Sequence, residues 1–494
     1  MPTNEKTHYI YRIQPVVVTS DFIEQLKHKL MKRILFFSAL TLASANLIAQ
    51  ETITPQVLQT LQKSYENTVT DKALRNAISA NSLKSLALNL DNTAAPDTYF
   101  SVEVPYTGIS DQQSSGRCWL FTGTNVLRAK AMKKYGIKNF FFSQIHMFFY
   151  DQLEKSNLFL QCIIDTRNKP IDDQMVRWLF QNPLSDGGTY TGVADLATKY
   201  GLVPQDVMAE TYNSDNTSEI DGVLKRKLRE FGIALREKAE SGANQKSLEQ
   251  LKVEQLKTIY RMLVLAYGEP VSQFTWAPKD ANGKTIGTPK TYTPLEFYRE
   301  ICGDEDLYAD YVMLMNDPSR PYNQVYEIDC DRHLYDGHNW LYVNLDIDDL
   351  KQAAIASLKD SAAMYFSCDV AKCLNRKNGI LDLNNYDYGS LLGTTFAMDK
   401  RQRILTFDSG SSHAMTLVAV DLNANDKPLK WKVQNSWGAS YGQQGHLIMT
   451  DEWFCEYMFR VVVNRKYCSQ EILNVLKQKP VRLPAWDPMF AEEE

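Results

Sequence analysis

The hydrophobic period changes along this chain, and that change limits the folds open to it. Residues 51–92 carry an apolar stripe at helical spacing, with Val57, Leu58, Leu61 and Tyr65 on one face. Helical patterns continue from Trp119 to about Tyr135, through "SQIHMFFYDQLEKSNLFLQCII", and from about Gly192 to Lys199, where Gly201 stops the helix. Residues 217–267 are strongly charged, with Leu224, Leu228, Phe231 and Leu235 at i, i+4, i+7 and i+11, which predicts a helical insertion with one apolar stripe. In the last third the period falls toward two. Residues 415–420, 429–434 and 445–449 are alternating or apolar runs separated by Asn, Asp, Gly and Pro, the pattern of a β-meander. Helices early and strands late predict an α+β protein with two unlike lobes and a cleft between them.

Two shorter features complete the expected architecture. "DTYFSVEVPYTGIS" alternates like an extended strand, and "FTWAPKDANGKTIG" holds Asn282-Gly283 between polar and aromatic flanks, a β-hairpin signal. With 494 residues, 44% hydrophobic, including 26 Tyr, 21 Phe and 8 Trp, the chain can bury a large core. Net charge is −5; leaving out the first 50 residues (6 Lys+Arg, 3 Asp+Glu) gives 48 against 56, or −8. That balance supplies no bulk electrostatic reason to bind nucleic acid.

The segment "MKRILFFSALTLASANLIAQ", residues 31–50, has a basic start, an apolar stretch and small residues before Gln50. It reads as a signal peptide, which makes residues 1–30 a doubtful extension and predicts a secreted or periplasmic protein without a stable membrane anchor after cleavage. If the signal is not used, the expected location is the cytoplasm.

The eight cysteines, Cys118, Cys162, Cys302, Cys330, Cys368, Cys373, Cys455 and Cys468, show no CxxC pair and no metal-like spacing, and the seven histidines are dispersed. Cys118 differs from the rest by its surroundings. In "DQQSSGRCWLFTGTNVLRAK" it sits where a Ser-Ser-Gly loop turns into a helix. Unpaired amides and the positive end of the helix dipole favour a thiolate there, and Arg117 adds charge of the same sign.

A cysteine nucleophile needs a base, a group that orients the base, and donors for an oxyanion. His413 stands at the entrance to the first strand of the meander. Asn435 follows 22 residues later in "VQNSWG", close enough for a hairpin to bring its amide to the imidazole, with Trp437 beside it to exclude water. "QQSSGRCW", "SSHAMTLVAV" and "VQNSWG", in the order Cys, His, Asn, resemble the papain superfamily. "SSGRCW", "NPLSDGG", "TPLEFYRE", "NSWG", "MTDEWFCEY" and "LPAWDPM" resemble its bleomycin hydrolase branch, the aminopeptidase C family, from about residue 55 to the C-terminus. Cys118 and His413 lie 295 residues apart. Papain-like enzymes expect roughly 130–150, so a large insertion is required.

The resemblance implies a papain-like, two-lobed fold with a large helical insertion. Its expected parts are a helical lobe at about 93–212, an inserted helical and hairpin region at about 213–340, a β-rich lobe at about 341–465 and a C-terminal arm at about 466–494. It implies a cysteine aminopeptidase acting on peptides through a thioester, with Cys118 as nucleophile, His413 as base and Asn435 as its orienter. Gln112 would supply an amide to the oxyanion hole, with Gln113 as the nearby rival. It also implies that Gly187 and Gly188 present backbone groups to substrate, that the chain end lies in the cleft and holds the substrate's amine, that no metal or organic cofactor is used, and that the protein forms a homohexamer. Here the tail reads "FAEEE", so Glu494 and its acidic neighbours are candidate amine-binding groups. Two other readings stand beside this one: an endopeptidase, and a catalytically silent peptide-binding or assembly protein on the same fold.

Overall fold

The computed structural model describes residues 52–92, 96–105 and 108–489. The signal-like segment 31–50, the extension before it and the acidic tail with Glu494 lie outside the described residues. The chain divides into two compact units, Met1–Ser82 and Leu83–Glu494.

In the first unit the helix expected across residues 51–92 is interrupted. Thr54 caps Pro55–Ser64, with a proline in its first turn. Thr68 and Asp71 then form a capping box that starts a new helix, Val69–Ala80. Between them Asn67 takes a left-handed backbone (φ 52°), so an apolar stripe that looked continuous is cut by a residue tolerant of that conformation.

The second unit joins helices to one twelve-stranded mixed sheet. Its strands follow the order Val481–Leu483, Gln324–Ile328, Leu341–Asn344, Tyr311–Met315, Met458–Asn464, Met364–Cys368, His413–Leu422, Pro428–Gln434, His446–Thr450, Ile380–Leu381 and Leu374–Asn375. Val102–Glu103 pairs with His413–Leu422 off this path. Among the described residues of "DTYFSVEVPYTGIS" only Val102–Glu103 forms a strand, so the run is not one long strand. The meander is present: His413–Leu422, Pro428–Gln434 and His446–Thr450 pair antiparallel in sequence order. The sheet also takes in Tyr311–Met315 and Gln324–Ile328, from the stretch that the sequence assigned to the insertion.

Two large hydrophobic cores form among the described residues. One gathers the helices Cys118–Tyr135, Gln144–Asp165 and Tyr190–Tyr200 with the inserted pair Ser218–Glu240 and Gln245–Tyr267. The other fills the sheet side with Phe366, Met415, Trp431, Trp453 and Val461. The insertion is two helices, because Ser241-Gly242 breaks it and Asn244 caps the second. The hairpin forms as Phe274–Trp276 against Lys290–Tyr292, with Gly283 at φ 78° in its connection. Among the described residues no helix is long and apolar enough to cross a membrane.

Candidate active site

Cys118 is the first residue of the helix Cys118–Tyr135, and the residue before it, Arg117, makes no side-chain cap. The helix packs on the strand His413–Leu422, so the thiol meets the strand where the imidazole begins it. Its sulfur accepts a hydrogen bond from the backbone N–H of Ala414 at 3.3 Å. An N–H aimed at sulfur is a stronger partner for a thiolate than for a thiol.

The imidazole's tautomer follows from obligatory donors. The side-chain oxygen of Asn435 accepts the backbone N–H of Ser436 at 2.8 Å, which settles which end of the amide faces inward. The same oxygen lies 2.8 Å from His413 Nε2. That nitrogen must therefore carry the proton, and Nδ1 is the basic one. Trp437 covers the pair, its ring 4.7 Å from the imidazole. Cys118, His413 and Asn435 are 0%, 2% and 1% exposed, so this geometry sits in a water-poor environment where directed charges count for more.

Gln112 is buried beside them. Its backbone N–H donates to Ser436 at 2.8 Å, its side-chain oxygen accepts from the Ser436 hydroxyl at 2.6 Å, and its amide nitrogen donates to the Ser115 carbonyl at 2.5 Å. Gln113, the rival, is exposed and adopts φ 55°. The loop before Cys118 is thus tied to the strand end that carries Asn435.

Arg117 differs from its expected role. It is fully buried, forms an ion pair with Glu210 at 2.6 Å, and lies over the rings of Phe121 and Phe148. Its charge is compensated by Glu210, so it braces the loop through Ser115 (3.0 Å) rather than supplying net positive charge to the thiol.

Gly187 and Gly188 are buried next to the site, but their surroundings are internal. The Gly187 N–H donates to Ser185 Oγ at 3.0 Å and its carbonyl accepts from Lys155; the neighbouring Asp186 carbonyl accepts from Trp119 Nε1 at 2.9 Å. A side chain at Gly188 would meet Trp119 and His333. Glu494 lies outside the described residues.

Sequence reasoning missed the support behind Trp119. His333 packs edge-on to that indole at 4.7 Å, bonds buried Asp151 through Nδ1 at 2.5 Å, and accepts the Thr189 N–H at 3.3 Å. No motif surrounds "DRHLYDG", and Asp151 is 182 residues away, so only the fold could join them. Ser436, adjacent to Asn435, was within reach of a closer reading. Among the described residues no group of three or more His, Cys, Asp or Glu could hold a metal ion.

Comparisons with known proteins supply the family. The model of the Peptidase C1-like family matches residues 52–490. Human bleomycin hydrolase is 40% identical over 407 residues, covering 80% of this chain and 89% of that protein. Aminopeptidase W of Lactobacillus delbrueckii subsp. lactis is 35% identical over 438 residues, covering 89% and 99%. The crystal structure of PepW from Lactobacillus rhamnosis superposes with a TM-score of 0.85 at 34% identity, over 90% of this chain and 100% of that one. The α+β fold is papain-like, and with a cysteine at a helix start facing a His–Asn pair at a strand end, the chain belongs to the Peptidase C1-like family.

Proposed function

We propose that this protein is a cysteine aminopeptidase that removes N-terminal residues from peptides. The observation that carries the reading is the Asn435 oxygen held between Ser436 N–H and His413 Nε2, which leaves Nδ1 as the base beside a helix-terminal thiol. Relatives named aminopeptidase W and aminopeptidase C support the exopeptidase class. In the proposed reaction, His413 Nδ1 takes the Cys118 proton and the sulfur attacks the carbonyl carbon of the first peptide bond. The developing oxyanion receives N–H groups from Gln112 and the Cys118 backbone. The imidazolium then protonates the leaving amine, and a water activated by His413 hydrolyses the thioester.

Three finer points belong to the same proposal. The acidic tail holds the substrate's amine near the cleft; the protein assembles as a homohexamer, as the family resemblance implies; and residues 31–50 direct it out of the cytoplasm. Mass spectrometry of the mature N-terminus tests the last, since a peptide beginning upstream of Met31 would exclude that signal.

The deciding experiment is hydrolysis of amino-acid arylamides and N-blocked peptides by protein expressed from Glu51, with and without a thiol alkylator, beside Cys118→Ala. Release from free-amine substrates alone, lost on alkylation and in the variant, is the expected result. Cleavage of blocked peptides would make it an endopeptidase, and silence under reducing conditions would favour a peptide-binding protein.

A further inference from the structure

Outside the active site, two thiols from distant parts of the sequence meet. Cys162 lies near the end of the helix Gln144–Asp165, and Cys330 follows the strand Gln324–Ile328. Both line one cavity of about 450 Å³, close enough that each thiol shifts the other's protonation. Cys162 is buried and Cys330 half-buried, so the cavity gives a reagent its approach to Cys330 while Cys162 waits behind it.

The surroundings favour attack from Cys330. Its backbone is left-handed (φ 63°), in the turn that brings the sulfur to the helix. The neighbouring Cys162 thiol, with help from Arg332, holds the Cys330 thiol below its usual range, whereas burial pushes Cys302, Cys373, Cys455 and Cys468 up. The cavity wall is cationic. Lys155 and Lys225 pair with Asp151 and Asp221, while Arg229 donates to the carbonyls of Phe180 and Gln181 and Arg332 to the Asn339 side chain, all neutral acceptors. A small anionic reagent would therefore be drawn in.

We propose that Cys162 and Cys330 are a redox-reactive pair that closes to an intrachain disulfide by exchange with an anionic low-molecular-weight disulfide of the glutathione class. The Cys330 thiolate attacks one sulfur of that disulfide, forming a mixed disulfide and releasing one thiolate, which takes a proton. Cys162 then gives up its proton and attacks the Cys330 sulfur, releasing the second thiol. The two cysteines are oxidised by two electrons and the reagent is reduced to two thiols. The cross-link ties the helix to the segment that carries His333, where Tyr335 already donates to Asp165 at 2.9 Å.

The test uses the full chain equilibrated in glutathione buffers of graded oxidised-to-reduced ratio, then alkylated, digested and read by peptide mass, so that oxidation at Cys118 is scored separately. The expected result is a linked Cys162–Cys330 peptide pair that appears as the ratio rises and vanishes with dithiothreitol, with a reversible rise in Tm. Cys330→Ser, at the half-buried position, should lose both the link and the Tm shift. Recovery of both cysteines as alkylated peptides at every ratio would overturn the proposal, as would glutathione retained on Cys330 with Cys162 still alkylated. The wild-type mapping decides the matter even if Cys330→Ser fails to fold.

Discussion

At the scale of single residues, the active-site assignments separate by what each substitution should remove. Asn435→Ala takes away the acceptor that holds the imidazole's Nε2 proton, so kcat should fall by about 10²-fold or more, the contribution typical of a positioned acid–base group. Gln112→Ala removes a proposed oxyanion donor and should lower kcat by about 10²–10³-fold with KM little changed. Stopped assays on one arylamide distinguish these; an unchanged kcat in either variant would remove that residue from the mechanism. Gln112→Ala also breaks the bond to Ser436, so its Tm must be read alongside. Lys400 gives a pH signature of its own. It is buried, donates to Asn316 Oδ1 (2.7 Å) and to the carbonyls of Met458 (2.6 Å) and Cys455 (3.2 Å), and burial lowers its pKa to about 7. Because the unfolded chain holds that proton up to about pH 10, it binds more protons than the native state above pH 7. Stability should therefore rise with pH between about 7 and 10, by up to ~1.4 kcal/mol per pH unit from this group. Urea unfolding of Lys400→Met at pH 7 and 9 should show that slope lost; a slope equal to wild type would refute the assignment.

Among elements, the contact that matters is between the helix that begins at Cys118, the helix Tyr190–Tyr200 and the segment carrying His333. Gly192 exists there because of His333: a Cβ would come within 2.3 Å of the imidazole. Gly192→Ala must push His333 away from Trp119 and Asp151, so it should cost about 1–3 kcal/mol in urea unfolding, the usual range for overpacking. A ΔΔG near zero would mean the segment yields freely. The same contacts account for what was legible. Helix starts and stops were readable where local chemistry decides them, at the loop before Cys118 and at Gly201. The break at Asn67 and the shortness of the Val102–Glu103 strand were not, because a stripe or an alternation does not record whether a partner stands opposite.

For the whole molecule, the open quantities are chain-end specificity and assembly. Ending the protein at Met489 removes the acidic tail and should raise cleavage of N-blocked peptides relative to free-amine substrates; an unchanged product pattern would dismiss the tail from specificity. Sedimentation of the same protein should give six times the chain mass, and a monomer would refute the hexamer. The sheet explains why the site can sit far from either end of the sequence. The strand Met458–Asn464 pairs with Met364–Cys368, the neighbour of His413's strand, and the strands from residues 311–344 continue the sheet beyond it, so segments distant in sequence join one sheet beside the helix that begins at Cys118.

The sequence by itself determined the α+β class, the helical insertion, the meander and the identity of Cys118, His413, Asn435 and Gln112 as candidates. Those follow from local periodicity, capping and short motifs, which are written in neighbouring residues, except that Gln112 over Gln113 rests on the family resemblance. Only the tertiary structure decided that Glu210 compensates Arg117, that Asp151 and His333 brace Trp119, and that Cys162 meets Cys330. Each of these joins residues from 93 to 214 positions apart, and no local pattern encodes such a meeting, because it depends on how separately formed elements bury their faces against each other.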